Sequence, residues 1–227
     1  MNKFGSLCPT LKASDIVGDK WTLLILRELF MGAHRYSDFQ HALPRISPTV
    51  LSNRLKTMET NSLIIHKIDT GKNRGKYYLT QSGKELAPIM DQLARWGLRW
   101  ARDQLSDVDI DTGSFMWDFH RTLNTEQLPE GEHVFCVLLI DQTEATKWWL
   151  IVSNSSVDLC NEDPGYDVTL YITSTLTDLA KVWMGEEKLS KQIHNGHIKL
   201  TGNRHLQKHP EHWFPFSRYV DVQAANT

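Results

Sequence analysis

Cysteine is scarce in this sequence: three residues, an odd number at wide spacing. Such a set makes no disulfide framework and suits a reducing compartment, so a cytoplasmic location is expected. Long apolar runs are missing as well. The strongest, "TLLILRELF" and "VFCVLLI", fall well short of the roughly 18 residues that cross a bilayer, so no membrane partner is expected. The opening "MNKFGSLCPTLK" has no apolar segment before a small-residue cleavage site, hence no secretory signal. A glycine-rich phosphate loop, a nucleophile elbow and a paired-carboxylate motif are also lacking. The chain is therefore expected not to be an enzyme, and no cofactor is implied.

What is present reads as globular: 227 residues, 41% hydrophobic and 23% charged, enough for one large domain or two ordinary ones. The net charge of −2 conceals two opposite halves. Residues 1–105 carry 16 Lys and Arg against 9 Asp and Glu, while the rest carries 9 against 18. A basic half invites a polyanion and an acidic half repels one. The acidic, aperiodic stretch 106–114, "SDVDIDTGS", is the expected linker between domains spanning 1–105 and 115–227.

The first half is patterned as helices. "TLKASDIV" predicts a short helix, and "KWTLLILRELF" a central helix buried nearly all round. "RYSDFQHAL" follows, closed by Pro44. Ser47 then reads as an N-cap and Pro48 as the first helical residue of "PTVLSNRLKTMET". "LIIHKID" and "KYYLT" predict a hairpin whose tip carries Lys72, Arg74 and Lys76. "QSGKELAPIMDQLARWGLRWARDQL" predicts one long amphipathic helix.

Two short helices, a tight link and a basic-tipped hairpin describe a winged helix–turn–helix. At about 100° per residue, Leu51, Leu55 and Met58 fall on one stripe of the second helix. Thr49, Asn53, Lys56 and Thr60 fall on the opposite one, with Glu59 at its edge. That outer stripe can enter a major groove about 12 Å wide without charge repulsion; Asn can pair with adenine and Thr can touch a thymine methyl. A solvated face would have the same pattern. The helix start, Ser47 to Thr49, can bind phosphate through backbone N–H groups, and a basic wing can reach the DNA backbone. The candidate DNA-binding set is thus Ser47, Pro48, Thr49, Ser52, Asn53, Lys56, Thr60, Lys72, Arg74 and Lys76, with double-stranded DNA as partner.

The Cys8-Pro9 pair, "GDKWTLLILREL", "RYSDFQHAL", "ISPTVLSNRLKTME" and "YYLTQSGKEL" together resemble the HxlR-type winged-helix transcriptional regulators of bacteria. The resemblance covers roughly residues 7–105. It implies a homodimer on paired half-sites, with the terminal helices, here around Lys12–Val17 and Ser82–Leu105, as the dimer contact. The stripe Leu93–Trp96–Trp100 agrees, although it could also pack within the monomer. In some members of that family the cysteine beside the proline senses oxidants, which makes Cys8 a candidate redox sensor; local packing is the other reading.

The second half predicts successive strands ("HVFCVLLID", "KWWLIVSN", "SSVDLCN", "DVTLYIT"), two helices, a strand "HIKLTG" and a last helix "NRHLQKHPEHWF", an α+β domain. "DPGYDVTLYI", "VWMG" and "GHIKLTG" resemble the sterol carrier protein type 2 domain over roughly residues 115–216. The resemblance implies a sheet with helices on one side enclosing a cavity for a small apolar ligand. Trp148, Leu170, Ile172, Leu179, Trp183 and Met184 are the candidate lining, though an ordinary core would show the same residues. His205, His209 and His212, at i, i+4 and i+7, would share a helix face able to hold a metal. Pro210 interrupts that face, so no metal site is expected. The expected architecture is α+β: a winged helix–turn–helix domain, then a sterol-carrier-like domain. The expected function is a dimeric regulator controlled by a small apolar ligand. The alternative is a lipid carrier or enzyme whose first half mediates protein contacts.

Overall fold

The computed structural model describes residues 7–69, 74–101, 110–144, 146–153 and 156–225. The chain forms two compact units divided between Leu98 and Arg99.

The first unit opens with α1 (Pro9–Val17) and α2 (Lys20–Phe30). Asp19 starts α2 by accepting from the N–H groups of Trp21 and Thr22 at 2.9 and 3.3 Å. Gly32, at φ +89°, turns the chain out of it. α2 buries Thr22, Ile25, Leu26, Glu28 and Leu29, while Trp21, Leu23, Leu24 and Phe30 are half-buried. The expectation of a helix buried all round is therefore corrected to one buried face. A unit this small has too little chain to enclose a helix completely.

Next come α3 (Tyr36–Ala42), α4 (Pro48–Thr60), β1 (Ile64–Asp69) and β2 (Arg74–Leu79). Asp38 caps α3, its Oδ2 accepting from Arg35 N at 2.8 Å and His34 N at 3.0 Å. The two strands pair antiparallel from Ile64 opposite Leu79 to Asp69 opposite Arg74. The single long helix expected after the wing is instead α5 (Gln81–Lys84) and α6 (Ala87–Trp100). Pro88 has no N–H to give the Lys84 carbonyl, so the helix breaks one turn in.

The second unit holds α7 (Thr112–Arg121), a 3-10 turn (Thr125–Gln127), β3 (His133–Leu139), β4 (Lys147–Ser153) and β5 (Ser156–Cys160). It continues with β6 (Leu170–Ser174), α8 (Leu176–Trp183), α9 (Leu189–His194), β7 (Ile198–Gly202), α10 (Arg204–Lys208) and α11 (Pro210–Trp213). The sheet order is β5-β4-β3-β6-β7, with β3 and β6 parallel and the other pairs antiparallel. Phe135, Val137, Leu150, Leu170 and Ile172 point from one sheet face into the main core, where they join Phe119 of α7 and Leu179 and Val182 of α8. Val134, Cys136 and Trp149 are buried on the other face, beside Val168 of the β5–β6 connection. Covered on both faces, β3 reads as an unbroken apolar run rather than an alternating one.

α7 has no counterpart among the expected elements. It begins inside the stretch expected as linker: the Asp111 carboxylate accepts from Ser114 N at 2.8 Å. Residues 106–109 of that stretch lie outside the described residues. The last expected helix is also two. Pro210 separates α10 from α11, and the Leu206 carbonyl, denied its helical donor, accepts instead from Trp213 Nε1 at 3.0 Å.

Candidate nucleic-acid interface

The α4 helix is divided as its sequence predicts. Leu51, Leu55 and Met58 are at most 1% exposed. Thr49, Asn53, Lys56 and Thr60 are all exposed, as are Ser47, Pro48 and Ser52. Glu59 is half-buried at the margin. The outer stripe thus presents amide, hydroxyl, methyl and ammonium groups and no carboxylate of its own.

Several of these groups are already engaged. Ser47 Oγ accepts from Val50 N at 3.3 Å, the N-cap that starts the helix. The Thr60 hydroxyl donates to the Lys56 carbonyl at 3.0 Å, and that of Thr57 to the Asn53 carbonyl at 2.9 Å. Thr60 therefore offers its methyl and an acceptor lone pair rather than a donor. Asn53 keeps its amide for a partner with matched donor and acceptor.

Two contacts brace α4, and neither was visible in the sequence. Tyr36, at the start of α3, donates its hydroxyl to the Pro48 carbonyl at 2.9 Å and lies 3.3 Å from Ser52 Oγ. Arg54 reaches Asp19 at 3.0 Å, so one carboxylate caps α2 and holds α4. Both groups of that pair are about a third exposed, so the pair orients the helix more than it stabilises the fold. No sequence spacing links residues 19 and 54.

The wing is tied to the helices. Tyr77 N donates to the His34 carbonyl at 2.8 Å, and His34 Nδ1 lies 3.0 Å from the Tyr77 carbonyl. The His66 ring stacks on Tyr77 at 4.3 Å. It occupies the space over Gly75, where a Cβ would meet it at 1.8 Å. Only glycine admits this stack.

Lys67 and Lys76 are directly opposite across the strands, and both are exposed. Like charges at such positions repel, and the Lys67 ammonium lies over the Tyr78 ring, 5.5 Å from its centre. Lys67 was missed from the candidate set. Its signal was the register a four-residue tip imposes. Arg74 opens β2, and Lys72 lies outside the described residues.

Cys8 is exposed immediately before α1. Hydrogen bonds from the backbone N–H groups of Leu11 and Thr10 hold its thiol below the ordinary cysteine range. On α6, Ile89, Leu93, Trp96 and Trp100 are exposed, Trp96 to 60%. In the second unit, Trp148, Leu170, Ile172 and Leu179 sit within the packed core, with Trp183 against it. Trp183 donates its indole N–H to Thr122 at 2.8 Å and meets Phe115 edge-on. Met184, half-buried, ends α8. No described helix is long and apolar enough to cross a membrane.

The family model described as HxlR-like helix-turn-helix matches residues 16–105, and that of the SCP-2 sterol transfer family matches residues 123–212. The HTH-type transcriptional regulator YvaP of Bacillus subtilis is 38% identical over 96 residues, 41% of this chain and 89% of that protein. An HTH-type transcriptional regulator of Methanothermobacter thermautotrophicus is 32% identical over 99 residues, 43% of this chain and 76% of its own length. Among solved structures, the oxidised redox regulator HypR shares 25% identity over 44% of this chain and 99% of its own, with a TM-score of 0.39. The chain belongs to the HxlR-like helix-turn-helix family, its winged-helix half followed by a sterol-carrier-like α+β half.

Proposed function

We propose that the chain is a dimeric transcriptional regulator that reads operator DNA with the outer stripe of α4 and grips the phosphate backbone with the β1–β2 wing. The observation that carries this reading is the division of α4. One stripe is sealed in the core, while the opposite stripe is open along the helix and free of carboxylates. The Lys67–Lys76 pair on the wing supports it, since a phosphate shared by both ammonium groups offsets their repulsion. The exposed Ile89, Leu93, Trp96 and Trp100 of α6 support a helix-to-helix dimer contact, because a stripe of this size is unfavourable in water. The second unit responds to a small apolar ligand. That ligand acts by binding the DNA-competent and DNA-incompetent forms with unequal affinity.

The test is duplex binding followed by fluorescence anisotropy, using duplexes selected from a random pool and shuffled controls, at two salt concentrations. Selected duplexes bind tighter, and all binding weakens as salt rises, because neutralised phosphates release counterions. Equal affinity for selected and shuffled DNA, with and without added fatty acids or sterols, sinks the reading and leaves a carrier with an interaction domain.

A further inference from the structure

The break at Pro210 does more than divide a helix. With the break, His209 takes the N-cap position of α11 at φ −131° and ψ 55°, without a side-chain capping hydrogen bond, and its ring faces Glu211 in the first turn of that helix. His209 Nδ1 then lies 3.5 Å from Glu211 Oε1, and His212 Nε2 lies 3.8 Å from the same oxygen. One donor atom from each of the three residues falls within 4.8 Å of the other two. Zinc bound at about 2.0–2.2 Å by nitrogen and oxygen sets neighbouring ligand atoms roughly 3.3 Å apart. The His209 and His212 rings are stacked, 9° from parallel with centres 5.5 Å apart, so binding requires the exposed rings to rotate until their in-plane lone pairs meet at one ion.

The backbone beneath the three residues is anchored by hydrogen bonds and a buried side chain. Trp213, next to His212, is buried, and its indole N–H is bonded to the Leu206 carbonyl. Asn124 Nδ2 donates to the His212 carbonyl at 3.0 Å, and Asn124 N to the Trp213 carbonyl at 3.2 Å. The side chains themselves are exposed, so an ion reaches them from solvent. A preorganised backbone with accessible imidazole and carboxylate donors is what a first-row divalent ion requires.

We propose that His209, Glu211 and His212 form a surface site for a divalent transition metal of the zinc class. The three side chains supply three ligands, and water fills the fourth position. The carboxylate offsets part of the ion's charge, and imidazole selects against magnesium and calcium. His205 is excluded from the ligand set. Among the described residues, the converging donor atoms are those of His209, Glu211 and His212 alone.

The experiment is isothermal titration of the tag-free full chain with zinc chloride, in a Cys8→Ser background that removes the exposed thiol as a competing ligand. One saturable equivalent is expected, with magnesium giving none. His209→Ala and His212→Ala each weaken binding by about tenfold or more, since ligand loss costs at least what loss of an outer-shell partner does. His205→Ala leaves it within about threefold. Circular dichroism of each variant checks that the fold is intact. The proposal is overturned if the parent chain takes up no saturable zinc. It is equally overturned if the His209→Ala/His212→Ala double variant binds as the parent does, or if His205→Ala is the most damaging change.

Discussion

Asn53→Ala separates the two stripes of α4 most cleanly. The side chain is exposed, lies outside every buried cluster, and sits mid-helix. Its removal is expected to change stability by no more than about 0.5 kcal/mol, in the favourable direction, because alanine is the better helix former. If Asn53 pairs bidentately with an adenine edge, the loss appears in discrimination instead. That loss is about 1–3 kcal/mol, roughly 5- to 150-fold in the ratio of affinities for the selected duplex and its variant at one position. Lys76→Ala is the control on the same DNA. It should weaken all duplexes alike and reduce the slope of log affinity against log salt by about one. Anisotropy titrations of both variants against a panel of single-position duplex variants give both quantities. A uniform loss for Asn53→Ala, with no position relaxed, would refute the assignment of the outer stripe as the reading face. A fall in melting temperature for Asn53→Ala would refute the division of the helix itself.

Other outcomes follow from the same geometry. Leu55→Ala empties a fully buried position and should destabilise the first unit by about 2–5 kcal/mol, seen in calorimetry as a shift of one of two transitions. Gly75→Val places a side chain where the His66 ring now lies; weaker wing-dependent DNA binding is expected, with His66→Ala in the same chain restoring part of it. Cys8 should react with a disulfide reagent well before the buried Cys136, whose thiol is pushed up by burial; equal rates in stopped-flow absorbance would contradict this. His120 is buried in α7, and burial depresses its pKa to about 4 against an ordinary 6.5. The unfolded chain therefore binds the extra proton first, and stability should be lost as pH falls from 6.5 towards 4, by up to about 3 kcal/mol. Urea unfolding of the parent and of His120→Leu across that range should show the parent losing more.

The first unit was legible because its signals are local. A proline after a serine, a three-four apolar spacing and a basic turn between two short strands each specify an element without reference to distant residues. The contacts that position those elements were not legible. Asp19 with Arg54, Tyr36 with Pro48 and Ser52, and His66 over Gly75 join residues whose proximity only the folded chain creates. Two prolines, Pro88 and Pro210, split helices that the apolar pattern carries through; Pro210 was already expected to interrupt its helix face. In each case a helical apolar pattern continues through a residue that cannot donate the next hydrogen bond. The missed α7 had its own local signal, Asp111 as cap followed by Phe115, Met116 and Phe119. The acidic composition around it was read as linker.

Two apolar stripes, one on α4 and one on α6, show why sequence pattern stops short of function. Leu51–Leu55–Met58 on α4 and Ile89–Leu93–Trp96–Trp100 on α6 have the same three-four spacing, and spacing alone does not separate them. The fold does. The first stripe is sealed within its unit and the second remains open, with Trp96 and Trp100 more than half exposed. Burying four such side chains is worth several kcal/mol at roughly 25 cal/mol per Å². That gain is on the scale needed to offset the lost freedom of two associating chains. Glutamate at Leu93 and Trp96 together should therefore leave the first unit folded while converting a dimer to a monomer in sedimentation. The monomer should then bind a single half-site with the affinity of one α4 and one wing. If sedimentation shows the parent chain already monomeric at micromolar concentration, α6 has no such role. Paired half-sites would then have to be read by two independent chains.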